Sequence, residues 1–303
     1  KEELCYAVWK EVRDGRGTPT DKIYIDLAGD CSRDVSSSLL SPRTTCGQCR
    51  YCVSGDEDLC NFPKGVVESG PMAHTATGGI RINDRCETTL PGLYAAGAVA
   101  GAVYGHARPQ GYTSMITLVL GRRAGMFAGQ FQTMSTSKRV LLDASEIQAS
   151  MHRAIDVVGR TSGLTPSAIK TQIRSIMKNH AWVIKDEEGL TKGLEKIKEL
   201  MRISIGQSVI QTQPKDGFDW ANHLDVSNML LTAEMMLTGA LERKESRGAF
   251  FRDDYPNTDD ENWLRNILYS QINGNLTIST IPVELKYCAP ETNLTAGRKP
   301  KSR

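Results

Sequence analysis

Apolar residues recur at helical spacing from the start of the chain. Leu4, Val8 and Val12 line one face and Glu and Lys the other, so residues 1–13 read as an amphipathic helix already under way. A chain that opens inside such a helix is expected to have sequence upstream. A Gly-Arg-Gly turn at 15–17 leads to a strand over Lys22–Leu27. Residues 71–132 are Gly-rich and alternate in the α/β manner. Strands are expected around Ile80–Ile82 and Leu93–Ala96, then a helix from about Thr113 to Gln130. From 140 to 250 the period is helical throughout, most clearly over Leu194–Met201 and Met229–Leu241. Asp143 and Thr165-Pro166 are good helix starts, because short oxygen side chains cap free N–H groups and proline suits a first turn. Beyond Gly248 come an acidic loop, a short helix near Trp263 and a hairpin around Asn273-Gly274-Asn275.

Composition narrows the class. The 303 residues are enough for two domains with real cores, and 40% hydrophobic with 24% charged residues is ordinary for a globular protein. A net charge of +2 gives no electrostatic case for nucleic acid or an anionic membrane surface. The longest apolar run, Leu93–Val103, is Ala- and Gly-rich and far short of the ~20 residues a membrane span needs. The N-terminus carries no signal-peptide pattern. The sequons at Asn275 and Asn293 are read as chance.

The stretch richest in chemistry is Ala73-His74-Thr75-Ala76-Thr77-Gly78-Gly79-Ile80. It continues through Glu87–Gly97 and then Gly105-His106-Ala107-Arg108-Pro109-Gln110-Gly111. A strand ending at Gly97 among small residues lets backbone approach a flat or phosphorylated ligand. A helix starting past Gly111, with Thr113 and Ser114 at its N-terminus, offers free N–H groups and a positive dipole end as a seat for negative charge. His74 and Arg108 flank that seat in sequence, and a guanidinium fork binds a carboxylate bidentately. No G-x-G-x-x-G follows a predicted strand, so the chain by itself does not form a complete dinucleotide site of the usual kind.

These segments resemble the second half of the FAD-binding domain in the fumarate reductase/succinate dehydrogenase/aspartate oxidase family. By that resemblance His74 falls on the substrate-binding histidine of an H-x-x-x-G-G motif, and Arg108 on the substrate-carboxylate arginine. Gly78, Gly79, Gly97 and Gly111–Met115, with Thr113, Ser114 and Met115, fall on the flavin-binding backbone. Arg243–Pro256 followed by Asp259–Leu264 resembles the signature after the family's helical domain. Glu11-x-Arg13-x-Gly15-Arg16-Gly17, then Ile23–Leu27, resembles the end of its capping domain. Arg247 and Arg252 are read as packing or salt-bridge residues, and Asp253–Asp260 as structural.

The chain departs from the family in several places. Ala98 stands where an acidic residue binding the FAD ribose is usual. Pro109-Gln110 lengthens the link between Arg108 and Gly111, and Phe250 replaces a histidine. The family's proton-donating arginine would fall at or before Lys1, so it is absent or replaced by lysine. Ser32-Arg33-Asp34 has similar letters but follows the helix and strand, so Arg33 is not given that role.

Cys46-x2-Cys49-x2-Cys52-x7-Cys60 is the second strong signal. Four thiolates at this spacing can wrap one tetrahedral ion in a closed, structural site. The segment resembles the structural-zinc lobe of medium-chain zinc alcohol dehydrogenases, with no other part of those enzymes in the chain. An iron–sulfur cluster is the alternative, although the short last spacing and following proline of the ferredoxin pattern are missing.

The expected fold class is α/β: the C-terminal part of an FAD-binding domain with a capping-domain remnant, plus an all-α helical C-terminal domain. The expected boundaries are 1–70 for the remnant with its cysteine loop, 71–135 for the FAD part and 136–303 for the helical domain. The resemblance implies an FAD-dependent oxidoreductase moving hydride between flavin and a small dicarboxylate. It also implies an electron-transfer (iron–sulfur) subunit as partner, and a cytoplasmic location with membrane contact only through other subunits. Two alternatives stand beside it: the same chemistry on aspartate or adenylylsulfate, and a non-catalytic metal-stabilised subunit or split half that needs a partner chain.

Overall fold

In the computed structural model the described residues are 2–26, 66–101, 103–106, 111–134, 143–155, 163–207, 218–272 and 275–285. Two compact units divide the chain at His74/Thr75. The first holds helix α1 (Glu2–Glu11), a π-type turn over Val12–Arg16, and the antiparallel pair β1 (Ile23–Asp26) and β2 (Val66–Ser69). The helix predicted over 1–13 thus ends slightly early. Gly15 at φ +81° leaves the helical region there, in a conformation that disfavours other residues. Arg16 folds back on Glu11 (3.0 Å) and Asp14 (3.1 Å), closing the turn.

The second unit opens with the Gly-rich segment and helix α2 (Tyr112–Met134), followed by α3 (Ala144–Ile155). Its main core is a three-helix packing of α4 (Pro166–His180), α5 (Glu187–Gln207) and α6 (Phe218–Glu242). Thr165 caps α4 by accepting from Ala168 N (3.2 Å), with Pro166 opening the first turn, as the sequence predicts. Ile169 and Ile173 on α4, Leu190, Ile197 and Leu200 on α5, and Val226, Leu230, Ala233, Leu237 and Ala240 on α6 form one buried cluster. Their spacing of three, four or seven residues keeps each set on a single face. Lys170 Nζ adds a polar tie from α4 to Asn222 (2.6 Å) and Asp225 (2.8 Å) on α6. Residues 140–250 are not purely helical: β3 (Ile184–Lys185) breaks the run and pairs in parallel with β4 (Phe251–Arg252).

After α6 the chain wraps round a buried ionic cluster. Glu245 is fully buried and accepts from Arg243, from Arg247 Nε and Nη2 (both 2.9 Å) and from Asp259 N (3.0 Å). Arg252 is also buried. It donates to Asp254 (2.7 and 2.6 Å) and to the carbonyls of Ala240 and Arg243 (2.5 and 3.3 Å). Asp254 in turn accepts from Glu187 N (2.9 Å) at the start of α5, and the Arg252 guanidinium holds its carboxyl below the usual range. Helix α7 (Asp260–Trp263) and the antiparallel hairpin of β5 (Arg265–Ile272) and β6 (Asn275–Pro282) follow, where the sequence places them. Arg247, Arg252 and the acidic loop are therefore structural. No described helix is long and apolar enough to cross a membrane.

Removing one member of a buried charge cluster strands its partners. Glu245→Ala is expected to cost about 3–5 kcal/mol in urea unfolding; a loss under about 1 kcal/mol contradicts the role assigned to it.

Candidate functional site

The site builds outward from a backbone crossing. Ile80 N donates to Val99 O (2.8 Å) and Gly101 N to Ile80 O (2.9 Å), with Ile80 and Ala100 forming a parallel bridge. At this crossing Gly79 has no room for a side chain: a Cβ there lies 2.3 Å from Val99 O and 2.7 Å from Gly101 N. Gly97 opens a short 3₁₀ turn (Gly97–Val99) in the left-handed region at φ +77°, with Thr117 of α2 alongside it. The structure thus brings Gly79, Gly97 and the first two turns of α2 together. Gly78 and Gly111 are exposed, and Gly111 (φ +79°) turns the chain into α2.

Instead of two strands at Ile80–Ile82 and Leu93–Ala96, the described residues hold single bridges, Ile80↔Ala100 and Glu87↔Tyr94. A compact turn joins them. Asn83 Oδ1 accepts from the amides of Arg85 (2.9 Å) and Glu87 (3.1 Å), and the buried Cys86 at φ +63° donates its thiol to Leu120 O (3.8 Å) on α2. Burial pushes the Cys86 thiol pKa up, which suits a packing role rather than a reactive one.

The N-terminus of α2 is the electrostatic centre of the region. Free N–H groups give it partial positive charge, and its first turn holds no acidic residue. Thr113 is half-buried there, while Ser114 and Met115 are exposed. Tyr104 lies against it, ring edge to Tyr112 with centroids 6.3 Å apart. Tyr104 is 3% exposed, yet its hydroxyl makes no hydrogen bond among the described residues. Buried hydroxyls are nearly always partnered, so this one fits a site completed by a ligand. Sequence reading passed over Tyr104; its only signal is a lone aromatic in the run of small residues from Gly97 to Gly105.

His74 is exposed and is the last residue of the first unit. Arg108 lies outside the described residues, as do Cys46, Cys49, Cys52 and Cys60. Among the described residues no group of three or more His, Cys, Asp or Glu side chains is placed to hold a metal ion. His106 is also braced from the helical side. Gly248, at φ +59°, approaches His106 so closely that a Cβ would lie 2.5 Å from its carbonyl oxygen.

Comparison with known proteins identifies this architecture. The family model for the fumarate reductase flavoprotein C-terminal domain matches residues 170–296, and that for the FAD binding domain matches residues 56–114. The chain belongs to the fumarate reductase/succinate dehydrogenase flavoprotein family. It is 31% identical over 315 residues to the fumarate reductase flavoprotein subunit of Haemophilus influenzae, covering 96% of this chain and 48% of that one. It is 30% identical over 268 residues to an uncharacterized FAD-dependent oxidoreductase of Methanocaldococcus jannaschii, covering 88% and 46%. In fold it is similar to the quinol fumarate reductase FrdA of Escherichia coli, with TM-score 0.82 at 22% identity over 98% of this chain and 51% of that one. The chain spans about half the length of the curated relatives it matches. The fold class read from sequence is that of the family: part of an FAD-binding domain with a helical C-terminal domain.

The Gly79 crossing, the acid-free helix N-terminus and the unpartnered Tyr104 hydroxyl are compatible with FAD. Tyr104→Phe removes a stranded hydroxyl, so the flavin-free protein is expected to gain about 1 kcal/mol in urea unfolding. An equal loss would mean that the hydroxyl already has a partner.

Proposed function

We propose that this chain supplies the substrate-side half of an FAD-dependent oxidoreductase acting on a small dicarboxylate, most simply the fumarate/succinate pair. The observation that carries the reading is the convergence of the Gly79 crossing and the buried, unpartnered Tyr104 hydroxyl on the N-terminus of α2. The FAD binding domain match over residues 56–114, which include Gly79 and Tyr104, supports this reading. When bound, FAD supplies a hydride acceptor and donor. The chain's own residues have other tasks. The amides at Gly111–Met115 and the positive end of α2 favour negative charge beside them. His74 and Arg108 hold the two substrate carboxylates, fix the alkene carbons in place and polarise the double bond between them. Gly248 lies against the backbone of His106, two residues before Arg108 in sequence.

In this reading residues 1–70 are the capping-domain remnant, 71–135 the FAD part and 136–303 the helical domain. Partners follow from the neighbours: similarity to a quinol fumarate reductase supports assembly with an electron-transfer subunit. Contact with a membrane is then peripheral and made through other subunits. The four cysteines 46, 49, 52 and 60 are proposed to hold one structural zinc, supported by their spacing and by a donor set of four thiolates.

His74→Ala and Arg108→Ala are each expected to lower turnover of fumarate or succinate by about a hundredfold while flavin stays bound. Unchanged kinetics in both variants overturns the site. Metal analysis of the same samples is expected to find about one zinc per chain; iron with acid-labile sulfide in its place contradicts the zinc assignment.

A further inference from the structure

Lys185 is an amine that the fold surrounds without giving it a counter-ion. It closes the short strand β3 and lies in register with Arg252 on β4, so two cations stand side by side. Its Nζ donates to Val183 O at 3.3 Å, a long bond, and lies 4.9 Å from the centroid of the Phe250 ring. An ammonium has three donors to satisfy, and a phenyl ring attracts its charge without offering a lone pair. The carboxylates close in sequence are committed elsewhere. Asp254 accepts from Arg252 and from Glu187 N, Asp186 from Gly189 N (2.7 Å), and Glu188 from Lys192. Among the described residues no carboxylate pairs with Lys185. Such surroundings disfavour the charged form. Burial, and after it the neighbouring Arg252 guanidinium, bring the Lys185 pKa down to about 8.

A neutral amine is a nucleophile, and Lys185 and Phe250 are only partly buried, so each keeps some surface at solvent. We propose that Lys185 is a site of direct acylation by small acyl phosphates. The Nζ lone pair attacks the acyl carbon and a C–N bond forms. The bond from that carbon to the phosphate oxygen breaks, and inorganic phosphate leaves with the electron pair. The amine gives one proton to solvent, and nothing is oxidised or reduced. An acyl phosphate suits this place on two counts. Its phosphate is anionic and approaches a locus that holds two cations. It is also compact, as a partly buried amine requires. The product amide is uncharged, so it ends the repulsion with Arg252 and leaves Asp254 and the backbone carbonyls as the arginine's partners. This chemistry is separate from the flavin reaction and uses neither His74 nor Arg108.

The test uses the protein as its source cell makes it, isolated natively and treated with acetyl phosphate from about pH 6 to about pH 10. Peptide mass spectrometry reads acetylation at Lys185 against Lys192 and Lys198, whose side chains are 57% and 55% exposed. At pH 8 about half of Lys185 is neutral, a fraction about a hundredfold larger than for an ordinary lysine. Lower basicity weakens the intrinsic nucleophilicity and takes back about tenfold of that gain, as it does for thiols. Lys185 is therefore expected to react about tenfold faster than either control near pH 8. Its rate levels off above that pH, while the controls go on rising to about pH 10. In urea-unfolded protein the three lysines react alike. A Lys185 rate equal to or below the controls in the folded protein, or one that climbs in parallel with theirs to the top of the range, overturns the assignment. So does a Lys185 advantage that survives unfolding, because it would then belong to the local sequence and not to the fold.

Discussion

The second unit turns on a buried ionic constraint at the end of α6. Glu245 and Arg252 are both taken out of water, and each is matched by several partners drawn from different stretches of chain. Burying a charge is tolerable only when its hydrogen bonds are complete. That requirement fixes the path of residues 243–265. Arg243 reaches the carbonyls of Trp263 (3.1 Å) and Arg265 (2.7 Å), setting where the β5–β6 hairpin begins. Asp254 holds the first turn of α5, and Arg252 sits in the strand that pairs with β3. The apolar cluster of α4, α5 and α6 supplies the larger share of burial, but the ionic cluster decides which way the chain leaves it.

That constraint reaches the candidate site. Arg247 is held by Glu245 and by Asp260 (2.7 Å), so the turn at Gly248 is fixed and meets the backbone of His106. In sequence Arg108 and Gly111 follow, and then α2. The helical part thereby braces His106, the last described residue before Gly111. At the crossing Gly79 is required by close backbone approach, which leaves no side chain there to hold the segment in place.

Much of the fold was legible in the sequence because helices advertise themselves through periodicity and caps. Thr165-Pro166, the run through Leu200 and the run through Leu237 all fell where expected. Short strands were less readable: two residues at Ile184–Lys185 carry no period, and the Gly- and Ala-rich segments at 80 and 93 make single bridges rather than strands. At the site, Gly97 was legible as a position for a residue without a side chain, and it takes φ +77°; the crowding at Gly79 is set by Val99 and Gly101 across the crossing, which no local pattern announces. Tyr104 was not, because an orphaned hydroxyl is a property of packing that no local pattern announces.

Hydride exchange between flavin and a dicarboxylate is the central claim. Its most direct test is anaerobic addition of succinate to the oxidised, flavin-containing protein, followed by visible absorption. The account predicts that the flavin band bleaches and that added fumarate restores it. Full flavin content with no bleaching by succinate, and no reoxidation of chemically reduced protein by fumarate, would contradict it.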